Sequence, residues 1–497
     1  MFLLIFVILL ASLDRPVPLQ VDRTLSLTFI GACILSIGFL SEIVTTWLTR
    51  RLWRFPDRRL SISKTYTRMR LLFMALPVLL FVVCLWCLHW DYLVDHVFKL
   101  QSIWLIREAV LIAPYLLMVL LEWSAFHRVE QAFHASSQAA YVHPFWTRRE
   151  YLMYQVRQQW GMPLATSALI LVLNQASQWL LPKLTHNEDL HSWLQLACLA
   201  VLLPLLPWLF TIVLPTLKLP AGPLRHQLEM LADRLGFRCS DILLWNTHRK
   251  LANALVTGFL PRPRYVILSD LLIETLHPEQ IEAVFGHELG HLRYRHFFQF
   301  LLFAVLSVTG FTLLSQVVVD GLHQRWPAPL PSWSPYAMSI GAAVGYSLML
   351  ITIGLYVWLV FGWLMRMCER QADLFGCKAV GALPLVSALT VSTGANGWVR
   401  PIVVAESNNL SLHAHGIHVF VSALERVAEV NGMSRERPSW RHGSIASRVQ
   451  FLEDLIDNPS GEAAFLTRAR FSKLLLFAML AAGNGLLWWW TGGLALM

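Results

Sequence analysis

Eight apolar runs of spanning length dominate this chain, at 25–48, 70–89, 104–123, 163–182, 194–217, 297–319, 338–364 and 472–490. A helix rises about 1.5 Å per residue, so about 20 apolar residues cross a hydrocarbon layer of about 30 Å. Composition agrees: 56% of the 497 residues are hydrophobic and 14% charged, against about 25% charged in a soluble domain. A ninth stretch, 1–12, is too short to span comfortably. It lacks the basic start and small-residue cleavage site of a signal peptide, and reads as a half-span, an interfacial segment or part of a ninth helix. The Trp488–Trp490 run suits an interfacial anchor for the last span. The fold class expected is mainly α, a polytopic membrane protein with about eight transmembrane helices.

Charge assigns the sides. Residues 49–70 carry Arg50, Arg51, Arg54, Arg58, Arg59, Lys64, Arg68 and Arg70 against Asp57 alone. Residues 90–103 carry Asp91 and Asp95 against Lys99. The third loop, 124–162, is again basic, and the fourth, 183–193, has Glu188 and Asp189 against Lys183. By the positive-inside rule the first and third loops are cytoplasmic. The net charge of +9 is thus a topology signal in the plasma or inner membrane, with no nucleic-acid partner implied. Alternation then places 218–296 and 365–471 in the cytoplasm, and the Pro-rich loop 320–337 and the C-terminus outside.

Those two cytoplasmic segments are the only polar stretches large enough to fold, and both carry metal-ligand residue types. The organisation expected is a membrane region 1–217, a first catalytic segment 218–296, a two-span hairpin 297–364, a second catalytic segment 365–471, and a last span with a short tail, 472–497. Within 218–296, residues 222–236 have helical apolar spacing. Cys239 to Trp245 and Arg264 to Leu268 read as strands separated by turn signals at Gly258, Pro261 and Pro263. Pro278 opens a further helix expected to run through His296. The seven cysteines show no disulfide or zinc-ribbon pattern.

Residues 287–291 read His-Glu-Leu-Gly-His. On a helix, positions four apart differ by about 40° in azimuth and about 6 Å in height, so His287 and His291 can converge on one tetrahedral zinc. Glu288, about 100° round, is placed to act on a zinc-activated water as general base. Two surface histidines are the bland alternative. The apolar Ile281, Val284 and Phe285, with Glu282, Arg293 and Arg295 keeping the helix out of lipid, argue for the site. The third ligand of a metzincin is excluded, because Tyr294 and Phe297 stand where its Gly and His belong. The flanking charges speak against a motif buried in a span. His296 is read as a surface or headgroup histidine off the ligand face. Glu369, in Arg366-Met-Cys-Glu-Arg-Gln-Ala-Asp373, emerges just after the span ending near Leu364. It is the candidate third ligand, the alternative being a solvated juxtamembrane charge. Three ligands leave one position open, as a catalytic zinc requires, and one Zn2+ per chain is expected. Asp373, one turn on, could orient a ligand imidazole or make a helix-surface salt bridge.

These motifs resemble the gluzincin membrane metallopeptidases that include CAAX prenyl endopeptidases of the first type and HtpX-like proteases. The resemblance runs from about Leu224 to Leu455. It includes Ala252-Asn253-Ala254 with Gly258, Tyr265 to Leu272, the His-Glu-Leu-Gly-His helix, Glu369 with Ala372-Asp373, and His442-Gly-Ser-Ile-Ala-Ser-Arg448. It implies zinc, peptide-bond hydrolysis and a zincin-like α+β catalytic domain on the cytosolic face. It implies that Asn253 lies on the substrate-binding strand, that His442 stabilises the oxyanion, and that Arg448 is a structural partner of the site. The family usually has Pro after that histidine, and this chain has Gly443. Ordinary turn or structural roles are the alternatives for Asn253 and His442. The last span is an addition to the family plan.

The function expected is a zinc metalloendopeptidase acting on membrane-associated or misfolded proteins, with prenyl-peptide processing and quality control both open. The alternative is a non-catalytic zinc-stabilised membrane scaffold or a metal transporter. Glu288 discriminates, since a structural site needs no base. A transporter would place ionisable pairs mid-span, and the spans show few, with Glu122 near an end.

Overall fold

The computed structural model describes residues 2–12, 21–135, 145–184, 202–325, 345, 348–349, 351–380 and 411–495. Glu188 and Asp189, the Pro-rich loop from 326 onward, and the beginnings of the runs at 194 and 338 lie outside the described residues. The chain divides into two compact units, Met1–Leu203 with Ser332–Leu348, and Pro204–Pro331 with Met349–Met497.

The first unit is helical: α1 (Phe2–Ala11), α2 (Arg23–Arg54), α3 (Arg59–Trp86), α4 (Trp104–Ala135), α5 (Arg148–Gln155) and α6 (Met162–Leu184). Asp22 caps α2 by accepting from the Leu25 N–H, and Thr147 with Glu150 forms a capping box on α5. The basic residues of 49–70 ride mostly on the ends of α2 and α3 rather than in an extended loop. Glu122 lies on α4, which continues past the run at 104–123 to Ala135. It is 1% exposed, with its Oε1 3.4 Å from Arg70 Nη1 on α3. The Glu130 carboxylate accepts from the hydroxyls of Tyr66 and Tyr151.

The second unit takes in all but the first two residues of α7 (Leu202–Val213), then β1 (Thr216–Lys218), α8 (Pro223–Arg234), β2 (Asp241–Trp245), β3 (Ala254–Thr257), β4 (Tyr265–Ser269) and α9 (Asp270–Thr275). It continues with α10 (Pro278–Arg293), α11 (His296–Arg325), α12 (Gly362–Ala379), α13 (Ala414–Val430), α14 (Ile445–Asp457) and α15 (Ser460–Ala495). The strands form one sheet in the order β1-β2-β4-β3, antiparallel except for the parallel β2–β4 pair. The expected strands appear as β2 and β4. Strands β1 and β3, three and four residues long, are too short to show a period of two in sequence.

Helix α10 starts as Pro278 requires, with Pro at its first turn and His277 and Gln280 in a reciprocal cap. Its Ile281, Phe285 and Leu289 recur at every fourth position and bury against Leu228 and Leu231 of α8 and Val266 and Leu268 of β4. Each such fully buried side chain contributes about 1.5–3 kcal/mol, which fixes the helix over the sheet and leaves its other face for α12. Glu282 does not face solvent as expected. It is buried and accepts a hydrogen bond from the Gln227 side chain.

Six helices among the described residues are long and apolar enough to cross a membrane. Three lie in the first unit (Arg23–Arg54, Ser61–Trp86, Leu105–Ala135) and three in the second (His296–Val318, Ile351–Ala379, Ser460–Gly492). The chain is thus mainly helical, with a small sheet and several spans. The run at 163–182 forms the 23-residue helix α6. Residues 2–11 make a ten-residue helix, too short to span. The helix that carries the end of the run at 338–364 continues from Ile351 to Ala379, so Glu369 lies on that same helix.

Candidate metal centre

Two glycines bring the motif helix against α12. A Cβ on Gly290 would lie 3.0 Å from Ala372 Cα and from Phe375 Cβ, and one on Gly286 would lie 2.3 Å from Ala379 Cβ. Real Cβ atoms do not approach to 2.3 Å and rarely to 3.0 Å, so glycine at these positions lets the two backbones meet here. On the next strip of the α10 surface stand His287 and His291, facing Glu369 of α12. Their Nε2 atoms are 3.3 Å apart. His287 Nε2 lies 3.8 Å from Glu369 Oε2, and His291 Nε2 lies 3.8 Å from Glu369 Oε1. One ligand atom from each of the three residues falls within 4.8 Å of the others.

The donor set fits a tetrahedral zinc. Ligand atoms about 2.0–2.1 Å from one such ion are about 3.3 Å apart, the separation of the two Nε2 atoms. The other nitrogen of each ring is engaged elsewhere: His287 Nδ1 is 3.0 Å from Asp373 Oδ1, and His291 Nδ1 is 3.0 Å from His296 Nδ1. Both rings can therefore present an Nε2 lone pair to the same point, as zinc ligands do.

Around this triad the remaining sequence candidates fall at different distances. Asp373, fully buried, accepts from Arg448 Nε at 2.8 Å and Nη2 at 2.5 Å, so Arg448, Asp373 and His287 form one chain. Arg448 Nη1 also lies 3.9 Å from Glu369 Oε2. His442 Nδ1 is 2.8 Å from the same Oε2, joining a half-exposed ring to the carboxylate. Glu288 reaches the sheet, where its Oε2 accepts from the Val256 N–H of β3 at 3.0 Å. Asn253, exposed, directly precedes β3 and pairs through its backbone with Ser269.

Burial pushes the Glu288 carboxyl above its ordinary value. Burial would lower His287, but the Asp373 carboxylate beside its Nδ1 outweighs that and the imidazole ends raised. His291 has a neutral-type neighbour there instead; burial, with His287 adding to it, drives it down to about 4. Burial disfavours the charged Arg448, yet Asp373 more than compensates and holds it above its usual value.

Three residues were misread or missed. His296 is neither at the surface nor off the site: it is 1% exposed and touches His291. In an unbroken helix it would lie about 140° from His291. The helix instead ends at Arg293, Arg295 turns with φ 54°, and α11 restarts at His296, folding that ring back. Asn431 clamps the approach to β3, accepting from the Ala252 N–H at 2.9 Å and donating to the Ala252 carbonyl at 2.8 Å. No sequence signal marks it. Lys473, inside the last apolar run, is buried near the site; its charge within that run was the available signal.

Residues 218–430 match peptidase family M48. The M48 match covers His287, Glu288, His291, Glu369 and Asp373, and ends before His442 and Arg448. The chain is 32% identical over 102 residues to the CAAX prenyl protease 1 homolog of Arabidopsis thaliana, covering 19% of this chain and 24% of that protein. It is 27% identical over 164 residues to protease HtpX of Chromohalobacter salexigens, covering 32% and 52% respectively. These matches span between a quarter and about half of the relatives' length. The crystal structure of S. mikatae Ste24p is similar over 88% of this chain and 99% of that one, with 16% identity and a TM-score of 0.42. The resemblance to the M48 metallopeptidases therefore holds over residues 218–430, and the six long apolar helices among the described residues make the chain a multi-pass membrane protein.

Proposed function

We propose that this chain is a zinc metalloendopeptidase that hydrolyses peptide bonds of membrane-associated or misfolded proteins at the cytoplasmic face. The observation that carries the reading is the convergence of His287 Nε2, His291 Nε2 and the Glu369 carboxylate on one point. His287, His291 and Glu369 would hold the ion, and zinc bound there would supply the Lewis acidity that activates water and polarises the scissile carbonyl. Glu288 takes the proton of the attacking water and passes it to the leaving amine, so a C–O bond forms, the C–N bond breaks, and the proton ends on nitrogen. The Val256 N–H holds one Glu288 oxygen, leaving the other for the proton. His442, its Nδ1 2.8 Å from Glu369 Oε2, stands beside the triad, where a ring N–H turned to the developing oxyanion would stabilise it.

Strand β3 ends the sheet order, and Val256 lies in it beside Glu288. An extended peptide added at that edge would carry its carbonyls past the base, with Asn253 at the entry of the strand. Asp373 and Arg448 act through His287, holding its ring. The relatives' names span prenyl-peptide processing and an HtpX protease; comparing a prenylated with an unprenylated peptide separates the two substrates.

The test uses purified full-length protein with a denatured membrane protein as substrate. Glu288→Ala should keep the zinc content of the wild type and lose about 10²–10⁴-fold in cleavage. Equal cleavage by both would remove the base assignment, and a wild type that takes up no zinc would remove the metal reading.

A further inference from the structure

The last helix, α15, carries Glu462, Lys473 and Asn484 along a mostly apolar length. The three are eleven residues apart, which is three turns and within about 20° of one line. Each engages a neighbour. Glu462 Oε1 lies 2.5 Å from Lys378 Nζ of α12, and Asn484 Nδ2 donates to the Leu306 carbonyl of α11 at 2.9 Å. Between them Lys473, 5% exposed, donates to Gln371 Oε1 at 2.5 Å and to Cys368 Sγ at 3.2 Å. Gln371 Oε1 is also 3.2 Å from His296 Nε2, and His296 Nδ1 is 3.0 Å from His291 Nδ1.

Only one arrangement of protons suits this row. Lysine donates and does not accept, so Gln371 must turn its carbonyl oxygen, not its amide NH2, toward Lys473. The same oxygen then needs a donor from His296, which puts the His296 proton on Nε2 and leaves Nδ1 as an acceptor. His291 must in turn donate from Nδ1, and its Nε2 keeps a lone pair facing His287 and Glu369. Without the amine, the Gln371 amide is free to reverse. An NH2 facing His296 Nε2 favours the other tautomer, two Nδ1–H groups would meet at 3.0 Å, and His291 would be driven to carry its proton on Nε2, where it cannot ligate.

We propose that Lys473 is a positioning residue for the metal centre: through Gln371 and His296 it selects the ligand tautomer of His291, and this ties the C-terminal helix to metal binding. The inference rests on the zinc reading above, and the two fail separately.

The test measures Zn2+ affinity of the purified full-length protein by chelator competition, with the Co2+ absorption spectrum as a second readout. Lys473→Met should weaken Zn2+ binding by about 10–100-fold, the range for outer partners of metal-bound histidine, and alter the Co2+ bands. Lys473→Arg, which still donates and cannot accept, should restore most of the affinity. Asn484→Leu, on the same stripe but not in the row, should leave affinity and spectrum as in the wild type. Gln371→Met should weaken binding as Lys473→Met does, and replaces it if that variant does not accumulate. Wild-type affinity in Lys473→Met or Gln371→Met, or an equal loss in Asn484→Leu, would overturn the proposal. A wild type that binds no Zn2+ would overturn the zinc reading instead.

Discussion

Both units bury charge, and they do so to different ends. In the first, Arg70 lies beside Glu122 and over the Phe126 ring at 4.8 Å, and Glu130 takes two tyrosine hydroxyls. Each ionic group there is matched to a neighbour from another helix. In the second, Arg448 pairs with Asp373, Asp373 with His287, and His296 with His291, yet three donor atoms remain turned toward a common point. Buried ion pairs by themselves therefore do not mark a site. What marks it is pairing on the outside of the rings that leaves lone pairs converging on the inside.

That contrast can be broken or sharpened. Arg448→Met strands Asp373 in the interior without its partner and should cost about 3–5 kcal/mol of stability, read by denaturant unfolding in detergent; an unaltered midpoint would mean that the pair is not structural. Glu369→Gln keeps the shape of the side chain but weakens the third ligand. It should lower Zn2+ affinity by more than about a hundredfold, about 2.7 kcal/mol, and unchanged metal content would point to a different ligand. In the first unit, Glu122→Gln should destabilise by about 1–3 kcal/mol while Zn2+ affinity stays at the wild-type value. A matching loss of metal would erase the distinction between the two kinds of buried charge.

The smallest effect belongs to Asp241, at the start of β2. Burial would raise its carboxyl, but hydrogen bonds from Lys218 and Arg225 outweigh that and hold it below the ordinary value. Because its pKa is lower folded than unfolded, its stabilisation is complete above about pH 3.9 and fades as pH falls through the folded value. Asp241→Asn should therefore cost under about 1 kcal/mol at neutral pH and still less in acid. A penalty that grew on acidification would reverse the sign.

The motif residues were legible because their spacing is local: His287, Glu288 and His291 lie on one helix, and Glu369 and Asp373 on another. The short strands β1 and β3 were not, since their pairing is decided by β2 and β4 rather than by their own pattern. His296 was misplaced for want of one dihedral angle, the left-handed turn at Arg295, which no residue type announced. Gly286 and Gly290 stood in plain view as a small-residue pair four apart, but their meaning depended on Ala372, Phe375 and Ala379 from a helix two spans later.

The close meeting of α10 and α12 has a further consequence. The gap between two imidazoles and a carboxylate is governed by how near two main chains can come, and that limit is set by hydrogen atoms at positions 286 and 290. The dimension on which metal capture depends is written in side chains that are missing, and the smallest one added back would widen it.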